Sequence, residues 1–503
     1  MKALFGCRPV YHSQSVQAWE KRWFAANNCS YGLMQQAALA MTLQIEKMLH
    51  QKQLVHQEIL VWCGQGNNAG DGYLIAKYLK QKGLHLTIYA SQAAMSQDAQ
   101  RARDEAIAAG IHIYSQLPLD KNYNIHVDAL FGVGLNRPLD QFSQQIITQL
   151  NTQPGFKIAI DIPSGLHPNT GVPLPVAVKA DLTLSVMALK LGLVIGQAQN
   201  YVGELIELPL IPADDQLKPS AYINYNKPVL AKRQATQHKG SFGHVLVIGG
   251  HPNMGGAVMM AGEAAMASGA GKVTVMCDAR HHTAIVARSP NIMLKDIAQT
   301  DVAALSKFLA QIDVVCFGMG LGRDAWSETN FHMVMNALKQ QSHIHTVIFD
   351  ADALWFLAQY QHDIQLQAQW IATPHSGEAA RLLACNVADI EQDRVAAIEQ
   401  LQQQYAGKWL LKGAGSLTLE QDSQGDLHLD ICAFGNAGMG TAGMGDVLSG
   451  MMAGLKAQFK DEISLAEIVA LHALAGDELA KQGMRGIQAQ HMVDAIYQVV
   501  NLD

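Results

Sequence analysis

Short apolar runs with the look of buried strands recur along this chain, and nearly every one leads into a glycine-bearing turn or a stretch of helical period. In the first half they are ILVWCG (Ile59 to Gly64), LHLTIYA (Leu84 to Ala90), IHVDALFG (Ile125 to Gly132), KIAIDIPSG (Lys157 to Gly165) and ADLTLSV (Ala180 to Val186). In the second they are HVLVIGG (His244 to Gly250), KVTVMC (Lys272 to Cys277), IDVVCFG (Ile312 to Gly318), TVIFDADAL (Thr346 to Leu354), WIATPH (Trp370 to His375) and WLLKG (Trp409 to Gly413). Strand alternating with helix restricts the fold, because a parallel connection needs a crossover long enough for a helix, and those helices then cover both faces of the sheet. Ahead of the first run, Val16, Trp19, Trp23 and Phe24, then Leu33, Met34, Ala37, Ala38 and Met41, recur at three- to four-residue steps, so Ser13 to about Met48 reads as two helices.

Between Leu208 and His238 the rhythm stops, and Pro209, Pro212, Pro219 and Pro228 fall in a stretch without sustained helical period, as expected of a connection between domains. With 503 residues the chain has room for more than one core. The expectation is two α/β domains, residues 1–211 and 237–503, with a linker over 212–236. The first is read as a Rossmann-like three-layer α/β/α arrangement. No internal repeat relates the halves.

Charge and cysteine usage narrow the partners. Lys and Arg number 36 against 43 Asp and Glu, a net charge of −7, without a long basic block, so nucleic acid is not expected as a partner. Seven cysteines with no C-x-x-C pair suit neither a disulfide framework nor a cysteine-rich zinc site and fit a reducing cytosol. The opening residues hold no secretory apolar segment, and no stretch approaches about 18 uninterrupted apolar residues, so a cytoplasmic protein without membrane association is expected.

GQGNNAGDG, Gly64 to Gly72, follows a buried-type strand and runs into a helical pattern, which aims backbone N–H groups at an anion. Its start satisfies G-x-G-x-x-G/A, yet the next strand ends Tyr89-Ala90-Ser91, without the acidic residue that a redox dinucleotide site uses for the ribose. Asp128, the turn GVGLNRP (Gly132 to Pro138) and Asp161 with Ser164 stand at other strand ends, which line one crevice in a parallel sheet. Taken singly, Asp128 reads equally as a helix cap and Ser164 as a turn hydroxyl.

Together NNAGDG, GVGL-x-R and D-x-PSG resemble the NAD(P)H-hydrate epimerase domain over about residues 10 to 215. The resemblance implies that Asn67, Asn68, Ala69, Gly70, Asp71, Gly132, Val133, Gly134, Leu135, Asn136, Arg137, Pro138 and Asp161 bind the hydrated dinucleotide. It implies that Asn68, Asp128 and Ser164 hold potassium, for which hard oxygen ligands are suited. Asp161 is the candidate for exchanging protons with the substrate, with Asp71 on the same rim. The family has glycine where this chain has Ala69, which is tolerable if the backbone there has negative φ.

In the second half GNAGMGTAGMGDVLSGMMAGL, Gly435 to Leu455, crowds glycines ahead of an apolar helical run starting about Asp446. A glycine-lined helix start is an anion hole for phosphate, and an Asp at its mouth can take a proton from a hydroxyl being phosphorylated. The alternative is that the glycines only permit close helix packing. With HKGSFGHVLVIGG, GMGLGR, DADAL, TPHSGE and LKGAGSLT, the segment from about 235 to 500 resembles the ribokinase-like, ADP-dependent NAD(P)H-hydrate dehydratase. That implies contact of Ala257, Gly320, His375 and Asp446 with the hydrate, and of Lys412, Gly413, Ala414, Gly415, Ser416 and Gly445 with ADP or ATP. Ser376, where the family mostly has proline, is expected to loosen its turn. Asp350 and Asp352 either cap a helix or reach magnesium through water.

The activities implied are epimerisation of R- and S-NADHX and NADPHX and nucleotide-dependent dehydration of the S epimer, with AMP and phosphate released from ADP. A homo-oligomer is implied as well. The competing readings are a phosphotransferase for a small vitamin-like alcohol fused to a nucleotide-binding domain, and a nucleotide sensor without turnover.

Overall fold

The computed structural model describes residues 6–118, 122–341, 343–344, 346–422 and 425–501. The chain divides into two compact units, Met1–Tyr222 and Ile223–Asp503. The strands of the first are β1 (Cys7–Val10), β2 (Ile59–Cys63), β3 (Leu86–Tyr89), β4 (Ile113–Tyr114), β5 (Ile125–Ala129), β6 (Phe156–Ile160), β7 (Leu182–Val186) and β8 (Glu204–Leu208). Seven of them form a sheet in the order β4-β3-β2-β5-β6-β7-β8, and every pairing in it is parallel. Alternation along β2 sends Ile59, Val61 and Cys63 to a core shared with the helices Ser30–Gln51, Asn67–Gln81 and Gln97–Ala108, while Leu60 and Trp62 face a second core under Gln141–Thr152. That is the three-layer arrangement expected from the rhythm of the sequence.

The strand order reverses between β2 and β5, and a crevice opens at the carboxyl ends of strands at such a switch point. The opening helices are Ser13–Ala25 and Ser30–Gln51. β1, β4 and β8 are additions to the sequence reading: β4 has only two residues, and β8 carries an exposed Glu204 and a partly exposed Glu207, which hide its apolar run.

After β9 (Ala221–Asn224), inside the stretch read as a linker, come β10 (His244–Ile248), β11 (Lys272–Cys277), β12 (Met293–Asp296), β13 (Val314–Phe317), β14 (Thr346–Phe349), β15 (Ile371–Ala372), β16 (Lys408–Leu411), β17 (Leu417–Gln421) and β18 (Leu427–Cys432). From β18 to β12 the order is β18-β17-β16-β15-β14-β13-β10-β11-β12, with the switch between β10 and β13. β16, β17 and β18 pair antiparallel, because short connections join them and antiparallel neighbours need no crossover. On one face of β13, Phe317 stacks on Phe331, which stacks on Phe356. On the other, helix Met444–Phe459 lies so close to helix Gly255–Ala267 that a Cβ on Gly450 would sit 2.0 Å from the Ala261 carbonyl oxygen, and one on Gly454 2.1 Å from Ser268 Oγ. These two glycines serve helix packing.

Candidate active sites

At the first switch point, Gly64 leaves β2 so close to the exit of β5 that a Cβ there would lie 2.0 Å from the Leu130 carbonyl oxygen. Gly66 then caps helix Asn67–Gln81 from an extended conformation, so Asn67 to Asp71, read as a loop, are the first turn of that helix. The opening N–H groups of a helix have no partner within it, so the anion-seeking character of the segment survives the difference. Ala69 is fully buried in that turn without positive φ, which accommodates its methyl. Asn67 Oδ1 accepts from Ser96 Oγ at 2.6 Å.

Asp128, at the end of β5, has no exposed surface. Its carboxylate accepts the Ser164 hydroxyl at 2.6 Å, the Ser164 N–H at 2.8 Å and the Leu130 N–H at 3.2 Å. Burial lifts its pKa to about 6 against those bonds, and none of its partners is a cationic side chain. Gly132 packs on Asn68, whose Nδ2 is buried without a hydrogen-bond partner. Amide N and O exchange places at little energetic cost, so Asn68 can present oxygen to the same space. A buried carboxylate lacking a counter-charge, a hydroxyl and an unpaired amide suit a hard monovalent cation. The turn beyond closes through Leu135 N–H to the Gly132 carbonyl at 3.2 Å, and leaves Gly134, Asn136, Arg137 and Pro138 exposed with Val133 partly so.

Asp161 follows β6 in the left-handed region, φ 65°, where a non-glycine residue is strained and therefore fixed by its surroundings. Lys190, 1% exposed, donates to Asp161 Oδ1 at 2.5 Å, to the Val186 carbonyl at 2.5 Å and to Ser185 Oγ at 3.2 Å. Asp71 keeps Oδ1 sealed from solvent with no partner. Burial, then the charges of Asp161 and Glu20, push Asp71 well above the carboxylate range, and burial and Asp161 raise Glu20.

In the second unit the carboxyl ends of β14, β15 and β16 and the start of helix Met444–Phe459 border a cavity of about 620 Å³. Lys412, after β16, stands 2.8 Å from Asp350 and 3.8 Å from Glu378. Asp350 also accepts from Ser449 Oγ at 2.7 Å. Burial opposes ionisation of Asp350, but Lys412 and the hydrogen bonds outweigh it and hold the carboxyl below its usual value. Asp446, in the first turn of the helix, is raised to about 7 by burial and by Asp350, and Glu378 to about 7 by burial. A Cβ on Gly445 would come 3.2 Å from Lys412 Nζ. Gly440, Gly443 and Gly445 line the cavity.

His375 caps helix Ser376–Leu382: Nδ1 accepts the Gly377 and Glu378 N–H groups at 2.9 and 3.3 Å, while Glu378 returns to the His375 N–H at 2.8 Å. Ser376 does not loosen this turn, contrary to expectation, because its hydroxyl bonds Glu391 and accepts from Arg394 at 3.2 Å. Asp352 caps no helix; it takes the Gly322 N–H at 2.8 Å and Arg323 Nε at 2.7 Å and so anchors the GMGLGR turn, beside which Gly320 packs on Ala257. Ala351, between the two aspartates, sits at φ 48°. The 413–416 turn closes on itself through Ser416 Oγ and Gly413, with Gly413 and Gly415 at positive φ and Ala414 exposed.

Residues 245–498 match the family model for NAD(P)H-hydrate dehydratase, and residues 30–192 match that for the YjeF-related protein N-terminus. The bifunctional NAD(P)H-hydrate repair enzyme of Coxiella burnetii is 34% identical over 98% of this chain and 99% of its own length. The chain belongs to the family of bifunctional NAD(P)H-hydrate repair enzymes. The repair enzyme of Escherichia coli K12 is 35% identical over 88% of this chain and 85% of its own. Among solved structures, a ribokinase-like superfamily protein from Enterococcus faecalis is 31% identical over 54% of this chain and 91% of its own, with a TM-score of 0.48.

Within this repair-enzyme chain four positions went unread in the sequence. Lys190 and Glu20 lie outside any motif. Arg394, 3% exposed, donates to the Leu411 and Lys412 carbonyls at 3.2 and 3.0 Å and so holds the segment that carries Lys412. His472 is buried beside Lys412, its pKa depressed by burial to about 4 and its Nε2 unpartnered. Lys190, set between Leu189 and Leu191, carries the one available signal, a charge flanked by apolar residues, and Arg394 carries none.

Proposed function

We propose that the first unit interconverts the R and S epimers of NADHX and NADPHX and that the second dehydrates the S epimer at the expense of ADP or ATP. The observation that carries this is Asp446: a carboxyl raised to about 7 in the first turn of a glycine-led helix, on the wall of a cavity that also holds Lys412. A base poised near neutrality can take the ring hydroxyl's proton as the phosphoryl group arrives. The unpaired N–H groups of the helix start, with Gly445 leaving room beside Lys412, stabilise the transferring phosphoryl. Phosphate then leaves where hydroxide would not, and loss of a neighbouring proton restores the dihydropyridine. Magnesium enters with the nucleotide's phosphates. Ala257, Gly320 and His375 are assigned to the hydrate, and Lys412, Gly413, Ala414, Gly415, Ser416 and Gly445 to the nucleotide.

In the first unit the helix start Asn67 to Asp71 and the turn Gly132 to Pro138 bind the dinucleotide, and Asp161 exchanges protons with it. Asn68, Asp128 and Ser164 would hold potassium, which supplies counter-charge to the buried carboxylate and orders the crevice. A cytoplasmic location belongs to this reading, and no helix among the described residues is long and apolar enough to cross a membrane. Self-association is part of the same reading.

The test is near-ultraviolet absorbance of both NADHX epimers with the protein, ADP, magnesium and potassium. Full recovery of NADH faster than spontaneous epimerisation is the expected result. Recovery that stalls once the S epimer is consumed removes the epimerase assignment, and a stable phosphate ester from a vitamin-like alcohol, without NADH, favours the phosphotransferase.

A further inference from the structure

The carbon inverted by the proposed epimerisation bears a hydroxyl and the ring nitrogen together, so it can be inverted without any redox change by opening the ring. A base takes the hydroxyl proton, the carbon–nitrogen bond breaks with its electron pair passing to nitrogen, and an acid protonates that nitrogen. The resulting aldehyde turns about the bond to its methylene neighbour. The steps then run backwards on its other face, each group recovering the proton it gave or returning the one it took, so no atom or electron is gained or lost. The crevice must therefore offer one ionised and one protonated group at once.

We infer that Asp161 is the base and Asp71 the acid of this ring opening, with Lys190 as the positioning residue that holds Asp161 through a buried ion pair. The inference rests on the first unit being the epimerase. Lys190, 1% exposed and bonded to three oxygens, is closed to substrate and reaches the reaction through the carboxyls it faces, Asp161 first. Asp161 is held in a left-handed backbone conformation at φ 65°, at the carboxyl end of β6. Asp71, one turn into the helix that starts the crevice, has an enclosed Oδ1 that no donor of the protein satisfies. An orphaned buried carboxyl oxygen is costly as part of a carboxylate and much less so as part of a neutral acid.

The charges around the pair favour the same division. Glu20, from helix Ser13–Ala25, and Asp161 both act on Asp71, while Lys190 is shared among Asp161, Glu20 and Glu207 of β8. Arg8 lies 3.9 Å from Glu207 and relieves that end. With Glu207 relieved by Arg8, Asp71, Glu20 and Asp161 share one ammonium, and the proton stays on Asp71, on which no cation acts.

The experiment follows conversion of purified R-NADHX to its epimer by the full chain without nucleotide, across pH. Asp71→Asn is expected to lower kcat by ~10²–10³-fold with KM within about threefold. Lys190→Met should move the acid limb of the kcat/KM profile upward by about one pH unit, and Lys190→Arg should return it toward that of the parent. Near-ultraviolet circular dichroism and quenching by the hydrate report whether each variant is folded and binds. A folded Asp71→Asn chain with the parent's kcat overturns the acid, and an unmoved Lys190→Met profile overturns the positioning role. A parent chain no faster than the spontaneous reaction instead overturns the epimerase reading itself.

Discussion

The Lys412 ammonium lies 2.8 Å from the Asp350 carboxylate, in a cluster where Asp352, Glu378 and Asp446 are further acids. Lys412 thus bears on Asp350, Glu378 and Asp446 together, while Arg323 pairs with Asp352. With Asp446 at about 7 and required as a carboxylate, dehydration should lose kcat/KM as pH falls below about 7, with unit slope. Lys412→Met should shift that limb to higher pH and lower kcat at pH 7. Steady-state rates from pH 5.5 to about 9 decide both.

The same raised values fix a sign for stability. Asp446 and Glu378 are ordinary carboxyls when unfolded and titrate near 7 when folded, so between about pH 4 and 7 the native state binds more protons. Their contribution is complete below the unfolded value and is lost as pH rises through the folded one. Urea midpoints without nucleotide should fall across this window, and Asp446→Asn should flatten the fall.

Potassium should raise the melting temperature of the parent, since Asp128 is buried without a cationic partner. Asp128→Asn should abolish the rise, with tetramethylammonium as the inert control, by calorimetry. An equal rise in both chains would place the ion elsewhere.

Arg394→Lys should destabilise the second unit by about 2–4 kcal/mol, since one ammonium cannot replace a fork that joins Ser376, Glu391 and the Leu411 and Lys412 carbonyls. It should also raise KM for the nucleotide more than it lowers kcat. Denaturant unfolding and initial rates at varied ADP separate these effects.

Gly450→Ala should cost about 2–3 kcal/mol or force the helices apart, because its Cβ meets the Ala261 carbonyl oxygen, which is backbone and cannot swing aside. Gly440→Ala, whose Cβ would find its nearest atom at 3.3 Å, should leave the melting temperature within about 2 °C and act on nucleotide kinetics instead.

The strand and helix rhythm made most of the fold legible, since runs such as Ile59–Cys63 and His244–Ile248 are buried on both faces and carry almost no polar residue. The antiparallel pair β17 and β18 escaped because Glu420, His428 and Asp430 break its apolar runs, and β4 because only two residues pair. Motif residues at strand ends were visible because chemistry needs unusual residue types there. Lys190 and Arg394 were not, because a buried ion reads like any surface charge until its partners, 29 and 17 positions away, are brought beside it.

Ala351 stands in a conformation that glycine would adopt freely, between Asp350, turned to Lys412, and Asp352, turned to the GMGLGR turn. The kink lets two aspartates one residue apart serve different neighbours, so the alanine trades some folding free energy for a stiffer backbone beneath the reacting groups. Selection for heat resistance alone would therefore be drawn toward glycine at this position, and selection for turnover would hold it back.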